Sequence, residues 1–326
     1  MFRSLMRWRF DGGGGGGVRG GVVGIVATAA KAGRSSGLSR MVSTANAAEF
    51  CRNLVRENDK EHFFTSLYIP LQSRDAYIAV RAFHVELGSV RNMARGNPQA
   101  AAVRLAFWND QIRNVFRDDV VSEHPVGVAL AHAASVRKLT PRWFERAIEA
   151  RMDTMEEGKP LIPASLEEAE DYCEFVWSSA LYSALEACDT SSNSSFRAAH
   201  ALGRAQGLVA LVRSIALETS AGRAIRMPSE GFGQDAATTD VETLTRALCV
   251  RATELLDEAQ KGLEDIQDSG ERRRAFAVML PATSAKRFVG NLENEGFALK
   301  SQSLLQPTAP LRVLWDMTTA RVTGKL

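Results

Sequence analysis

The amino-acid sequence predicts an all-α protein with one almost wholly apolar helix at its centre. From Ala205 to Leu217 the only polar residues are Gln206, Arg213 and Ser214, so apolar side chains occupy every face of the projected helix. Elsewhere apolar residues recur every three or four positions, whereas two-residue alternation and Asn-Gly hairpin turns are nearly absent. A chain of 326 residues, 45% of them hydrophobic, is long enough to surround this helix with others.

The first 45 residues differ in composition from the rest of the chain. Up to Ala48 there are seven basic residues and one acid, Asp11, while the net charge of the whole chain is +2, so the remainder is mildly acidic. Such a segment, rich in Arg, Ser, Ala and Gly, is typical of a mitochondrial transit peptide, and the run Gly12–Gly17 is typical of a flexible linker. A plain disordered tail is the alternative. We predict a transit peptide and linker over residues 1–45 and a helical domain over residues 46–326.

The helices of that domain are predicted from periodicity, capping residues and breakers. In chain order they cover Asn46–Ile69, Arg74–Asn92, Ala101–Arg117, Pro125–Arg137, Pro141–Met155, a helix from the Ser165 cap to Glu186, the central helix within His200–Pro228, a helix ending near Gln267, Arg272–Leu280, Ser284–Glu295 and Leu311–Val322.

Capping motifs and loops set the predicted boundaries. Thr140 precedes a proline and is expected to cap the helix that begins there, and Ser165 with Glu168 forms a capping box. Thr239 is expected to cap a later helix. The polar stretch Asp189–Ser195 is predicted to be a loop before the central helix, and Ser269–Gly270 is predicted to be a break.

Several classes of site are not supported by the sequence. The cysteines are far apart and form no Cys-x-x-Cys pair, which predicts reduced thiols: Cys51, Cys173, Cys188 and Cys249. The histidines show no metal-binding spacing, which predicts structural or surface roles: His62, His84, His124, His132 and His200. The mildly acidic body does not indicate a nucleic-acid partner. The basic run Arg272–Arg274 is a candidate contact for anionic lipid or for a protein partner.

An ordered set of segments from about Phe50 to the C-terminus resembles the squalene/phytoene synthase family. The segments are IPLQSRDAYIAVRAFHVELGSVRN from Ile69, VRLAFWNDQI around Trp108, HPVGVAL from His124, LTPRWFERAIEARMD from Leu139, the central helix with Gly222, Arg223 and Pro228, and RRAFAVMLPATSAKRFV around Pro281. The resemblance implies an all-α isoprenoid-synthase-like bundle around a central cavity.

The family's enzymes hold two prenyl diphosphates through Mg²⁺, and Mg²⁺ requires oxygen ligands, which they supply as aspartates on two facing helices. Aligning the first acidic cluster on Pro70 and Phe83 implies that its three aspartates are replaced by Gly88, Ser89 and Asn92. None of these side chains is an anionic ligand.

The second acidic cluster falls in the central helix. There the resemblance places Ala210, Arg213, Ser214 and Glu218 at the family's asparagine, arginine and two aspartates. One carboxylate cannot organise two diphosphates through metal ions, so we expect the fold without synthase catalysis, catalytic residues, cofactor or bound metal. Arg213 and Glu218 are interpreted as the remnant of an anion pocket. Alternatively, Arg213 extends to solvent from the helix end or pairs with Glu218.

The segments SRDAYIAVRAFHVELGSV and HALGRAQGLVALVRSI more closely resemble a mitochondrial branch of the family, which takes part in the assembly of respiratory complex I (NADH:ubiquinone oxidoreductase). This resemblance implies a matrix protein, peripheral to the inner membrane. Its expected partners are complex I subunits or other assembly factors, together with the membrane surface or a lipid. Two alternatives stay open: a prenyl-diphosphate transferase with relocated metal ligands, and a carrier of an isoprenoid or lipid.

Overall fold

The computed structural model describes residues 43–94, 97–117, 122–154, 162–223, 225, 227, 240–299, 306 and 308–326. Every regular element within these residues is helical, which confirms the predicted all-α class. The elements are α1 (Thr44–Asn58), α2 (Lys60–Ser66), α3 (Leu71–Met93), α4 (Pro98–Val115), α5 (Pro125–Val136), α6 (Pro141–Asp153), α7 (Leu166–Cys173), a π-helical turn (Glu174–Ser178), α8 (Ser179–Ala187), α9 (Asn193–Ser220), α10 (Val241–Glu264), α11 (Ser269–Met279), α12 (Ala282–Asn294) and α13 (Pro310–Thr323). The predicted transit peptide and linker lie almost entirely outside the described residues.

The predicted central helix is α9, and it is buried along most of its length as the sequence indicated. It packs against α10, α7, the π-helical turn, α8 and α12. It begins earlier than predicted because Ser192 caps it, accepting a hydrogen bond from the Ser195 amide at 3.2 Å. The last three residues of the predicted loop Asp189–Ser195 therefore form its first turn. It ends at Ser220, eight residues before the proline that was expected to bound it.

Two glycines allow α9 to lie against the neighbouring helix at very short range. A Cβ atom on Gly203 would lie 2.4 Å from the backbone nitrogen of Ser178, and one on Gly207 would lie 2.4 Å from Cys173 Sγ. At the same crossing the Ser178 hydroxyl donates a 3.0 Å hydrogen bond to the carbonyl of His200. The helix predicted to run unbroken to Glu186 instead widens into the π-helical turn at this contact.

The predicted helix Asn46–Ile69 is interrupted at Asp59, which is a correction to the sequence-based expectation. Asp59 accepts a hydrogen bond from the His62 ring at 2.8 Å and another from Arg81 Nη2 at 2.6 Å. All three side chains are largely buried. Burial opposes ionisation of Asp59, but the charges and hydrogen bonds of His62 and Arg81 outweigh it and hold the pKa of the carboxyl well below its usual range. This ion network ties α1, α2 and α3 together.

Capping explains most other differences in helix boundaries. The break predicted at Ser269–Gly270 lies a few residues earlier, after α10 ends at Glu264, because Asp268 caps α11 and both predicted residues lie in its first turn. Asp240 caps α10, accepting from the Thr243 amide, while Thr239 is outside the described residues. The Ser165 cap is confirmed: its hydroxyl accepts from the Glu168 amide at 3.1 Å.

Thr140 precedes α6 as predicted, but its hydroxyl does not cap that helix. Instead the hydroxyl and the backbone amide of Thr140 both donate to the carboxylate of Glu186, at 2.7 and 2.8 Å. This carboxylate also accepts from Trp143 Nε1, so it joins the start of α6 to α8.

All four cysteines lie in helices or at helix ends of the described part of the chain, where they are buried and unpaired, as the sequence predicted. Burial raises the pKa of Cys51, Cys188 and Cys249 to about 12. Of the helices described, none has both the length and the apolar character needed to cross a bilayer.

We expect Gly203→Ala to lower the free energy of unfolding by about 3 kcal/mol, because the new methyl group would force the backbones of α9 and the π-helical turn apart. Gly290→Ala on α12 is the matched control, since a Cβ there meets no atom within 4 Å. The free energy of unfolding of that control should rise by about 0.5–1 kcal/mol, because alanine has a higher helix propensity than glycine. Urea denaturation of both variants measures the difference, and equal effects at the two positions would contradict the close contact.

We expect Asp59→Asn to lower the free energy of unfolding at pH 7 by about 3–5 kcal/mol, because Arg81 would keep its charge without its carboxylate partner. The folded-state pKa of Asp59 is depressed, so its contribution is present above the unfolded pKa of about 4 and is lost as the pH falls below that value. The difference between variant and wild type should therefore shrink in acid.

Asp75→Asn serves as the control for this prediction. Asp75 forms an ion pair with Arg52 at 3.3 Å, but both side chains are at least half exposed. Its loss should cost at most about 1 kcal/mol. Urea titrations at several pH values compare the two variants, and an Asp59 effect as small as the Asp75 effect would rule out a stabilising role for the buried network.

Candidate functional site

The two helices that carry the family's acidic positions, according to the sequence resemblance, are α3 and α9. Both pack against α8, so this helix is a neighbour that they share. α3 also packs against α1, α4 and α5, whereas α9 packs against α10 and α12. The side chains of interest are near the end of α3 and in the last third of α9.

None of the three α3 positions carries a charged side chain, and one of them forms a hydrogen bond within its own helix. Gly88 has no side chain, and the Ser89 hydroxyl donates to the carbonyl of Glu86 at 2.7 Å. The Asn92 side-chain oxygen is buried and accepts no hydrogen bond from the described residues. These three positions therefore present no carboxylate to a ligand.

One carboxylate that the sequence reasoning did not consider lies close by. Glu86 is on α3, one turn before Ser89 and Val90, and is partly buried. Burial raises the pKa of Glu86, and the positive charge of Arg104 opposes the rise only in part. The environment thus disfavours the ionised form that a metal ion requires.

The α9 positions are also engaged within the fold. Ala210 has no polar side-chain group, and the buried Ser214 hydroxyl donates to the carbonyl of Ala210 at 3.0 Å. This bond along the helix satisfies the hydroxyl without an external partner.

Arg213 and Glu218, the predicted anion-pocket pair, have different neighbours. The Arg213 guanidinium lies over the ring of Phe288, 4.6 Å from its centroid. Burial lowers the pKa of Arg213, and the charge of Glu61 on α2 opposes this effect. The buried Glu218 carboxylate accepts two hydrogen bonds from Arg223, one of them from Nη2 at 2.9 Å. The hydrogen bonds from Arg223 lower the pKa of Glu218. A shared pocket for the pair stays a prediction.

The interior beside α3 contains a basic and aromatic group of side chains that the sequence did not single out. Both ring nitrogens of His84 are buried and make no hydrogen bond within the described chain. Burial, followed by the charges of Arg81 and Arg151, holds the pKa of His84 well below its usual range, so the imidazole is neutral. Arg151 on α6 shares a hydrogen bond with Tyr172 on α7. The only feature of the sequence that indicates this group is the presence of polar residues on otherwise apolar helix faces.

The chemistry of these side chains does not fit the magnesium cluster that the family's enzymes use. Mg²⁺ prefers several carboxylate oxygens in octahedral geometry. The assigned positions supply glycine, alanine, serine and asparagine side chains, and the one carboxylate, that of Glu218, is bound to Arg223. Nowhere in the described ranges do three His, Cys, Asp or Glu side chains come together as a metal site would require.

Curated proteins with similar sequences carry one common name. A Drosophila melanogaster protein named NADH dehydrogenase (ubiquinone) complex I, assembly factor 6 homolog is 28% identical over 82% of this chain and 82% of its own length. The assembly factors 6 of Bos taurus and Homo sapiens are 29% and 30% identical, over 56% and 51% of this chain. The chain matches only about half the length of these two mammalian relatives.

Solved structures show the same fold at lower sequence identity. Squalene synthase HpnC from Alicyclobacillus acidocaldarius superimposes with a TM-score of 0.63 at 20% identity, covering 78% of this chain and 95% of that one. A dehydrosqualene synthase superimposes with a TM-score of 0.64 at 17% identity, covering 86% and 98%. The sequence model of the family described as squalene/phytoene synthase matches residues 55–315. This chain therefore belongs to the squalene/phytoene synthase family.

Proposed function

We propose that this protein is an assembly factor for mitochondrial complex I and that it does not catalyse prenyl-diphosphate condensation. The observation that carries the proposal is its similarity to the Drosophila assembly factor 6 homolog, which extends over 82% of both chains. The more distant synthases share the fold at 17–20% identity, which is informative about architecture but not about activity.

The side chains of α3 and α9 support the second half of the proposal. A synthase must neutralise two diphosphate groups, and here Gly88, Ser89 and Ser214 offer no negative charge with which to hold the metal ions. Loss of a single transition-state contact commonly costs a factor of about 10²–10³ in rate, and several are missing at once. The neutral His84 and the desolvated Arg151 do not replace them, since neither is an oxygen ligand for Mg²⁺.

The site of action proposed is the mitochondrial matrix, at the inner membrane. The basic, acid-poor N-terminal segment supports import into mitochondria. The names of the relatives support partners among complex I subunits or other assembly factors. The mildly acidic body gives no support to a nucleic-acid partner.

Depletion of the protein should reduce the amount of assembled complex I seen on a native gel, and re-expression of the intact gene should restore it. The other respiratory complexes are the internal control, because an assembly factor for complex I should leave them at normal levels. Normal complex I after complete depletion would refute the assembly role. If isoprenoid or lipid pools changed instead, the carrier or transferase alternative would take its place.

We also expect the purified protein to show no Mg²⁺-dependent turnover of farnesyl or geranylgeranyl diphosphate. An active squalene synthase assayed in parallel shows that the substrate and metal are competent. Turnover by this chain that disappears on chelation of Mg²⁺ would overturn the non-catalytic assignment, and it would point to metal ligands at positions other than those assigned.

Glu218→Gln should support complex I assembly at close to the wild-type level. The glutamine keeps one oxygen that can accept from Arg223, so we expect the free energy of unfolding to fall by no more than about 1–2 kcal/mol. Rescue of depleted cells measures function, and urea denaturation measures stability. A variant that folds normally but fails to rescue would show that this carboxylate has a role beyond its contact with Arg223.

A further inference from the structure

Helix α13 is apolar on two opposite faces, and only one of them is packed. Its inner face is fully buried and consists of Val313, Met317 and Ala320. The outer face carries Leu311, Trp315 and Val322, at spacings of four and seven residues, and these side chains are 81%, 67% and 81% exposed. Isolated exposed apolar residues are common, but three large ones in a single helical stripe indicate a contact surface.

The junction of α2 and α3 extends this surface. The Tyr68 hydroxyl forms a 2.7 Å hydrogen bond with Thr318, which lies on the same stripe of α13 between Trp315 and Val322. Leu67 precedes Tyr68 and is 51% exposed, and Leu71 begins α3 and is 78% exposed. The Tyr68 hydrogen bond and the contact between α2 and α13 thus bring the neighbouring Leu67 close to the outer face, and Leu71 follows four residues later.

Basic residues flank the apolar stripe. By helical position Arg312 and Arg321 lie on its two sides, and Lys325 follows the end of the helix. Arg321 donates to the carbonyl of Arg273 at 3.4 Å, so Arg273, whose side chain is exposed, belongs to the same region. Arg272, also exposed, precedes it and donates through its guanidinium to the carbonyl of Ile266. These two are part of the basic run that the sequence marked as a candidate lipid contact.

The one acid in the middle of α13 is neutralised locally. Asp316 is largely buried and forms ion pairs with Arg287 and, at 3.5 Å, with Arg312. It therefore does not oppose the approach of a negatively charged surface, and Arg321, Lys325 and Arg273 add positive charge around the stripe.

We propose that the outer face of α13, with Leu67, Leu71 and the Arg272–Arg273 pair, binds the surface of an anionic lipid bilayer. Leucine and tryptophan on one helical face with arginine at its borders is the arrangement that enters the boundary between headgroups and acyl chains. Because the opposite face of α13 is packed in the core, the helix lies flat and inserts only its outer side chains. The proposal rests on the proposed function, since it assigns the surface by which the protein would meet the inner membrane.

The test is co-sedimentation of the full chain with vesicles of phosphatidylcholine alone and of phosphatidylcholine mixed with phosphatidylglycerol. Wild-type protein should bind the anionic vesicles, and binding should weaken as salt is raised. The double variant Leu311→Ser, Trp315→Ser should bind at least about tenfold more weakly, since two large apolar side chains are removed. Arg272→Gln with Arg273→Gln should reduce binding and its salt dependence.

Val103→Ser is the matched control, because Val103 on α4 is also exposed, at 71%, but does not belong to this surface. It should bind like wild type, and circular dichroism should show that all variants are folded. Bromine-labelled lipids provide a second readout that does not depend on affinity. They should quench part of the tryptophan fluorescence of the wild type, and that part should be absent from Trp315→Phe.

Equal binding to neutral and anionic vesicles, or wild-type binding by the Leu311, Trp315 variant, would overturn the proposal. Absence of vesicle binding by wild type, combined with failure of that variant to rescue complex I, would assign the surface to a protein partner instead. The proposed function can fail separately: vesicle binding that follows the predicted pattern, together with normal complex I after depletion, would leave the lipid surface standing without the assembly role.

Discussion

The close approach of α9 to the helix formed by α7, the π-helical turn and α8 is the constraint on which the bundle depends. Gly203 and Gly207 bring the two backbones so near that a single methyl group would separate them. Because α9 also packs against α10 and α12, a shift at this crossing would disturb its packing against both of those helices. The π-helical turn keeps the Ser178 hydroxyl on the His200 carbonyl at the crossing, where a continued α-helix would present different atoms.

Much of this arrangement could be predicted from local sequence. An apolar stretch without a polar face can only be a buried helix, and Ser165 caps its helix because a serine hydroxyl satisfies the amides that a helix start leaves free. The interruption at Asp59 could not be predicted in this way. It depends on Arg81, which is 22 residues away in sequence and becomes a partner only when α3 packs against α1 and α2. The first turns of α9 and α11 were not predicted, because serine and glycine on average favour loops. The caps Ser192 and Asp268 stabilise these turns by accepting hydrogen bonds from their backbone amides.

The candidate site could be predicted only in part, because it too contains contacts between residues that are far apart in the sequence. The resemblance to the family singled out Gly88, Ser89 and Ser214, because the sequence itself shows whether a given position holds a carboxylate. His84, Arg151 and Tyr172 lie on three different helices. No regular spacing in the sequence predicts that their side chains come together. These side chains give the interior beside α3 a buried neutral imidazole and a buried guanidinium–phenol pair. The pairing of Glu218 with Arg223 likewise depends on how the chain leaves α9.

The burial of all four thiols has a consequence for their reactivity toward oxidants such as peroxide. Only a thiolate reacts readily with peroxide, and burial keeps Cys51, Cys188 and Cys249 protonated far above physiological pH, with pKa values raised to about 12. Oxidation and thiol exchange therefore require the helices to open first. In the native protein the cysteine thiols are therefore protected, and they become reactive only in molecules that have begun to unfold.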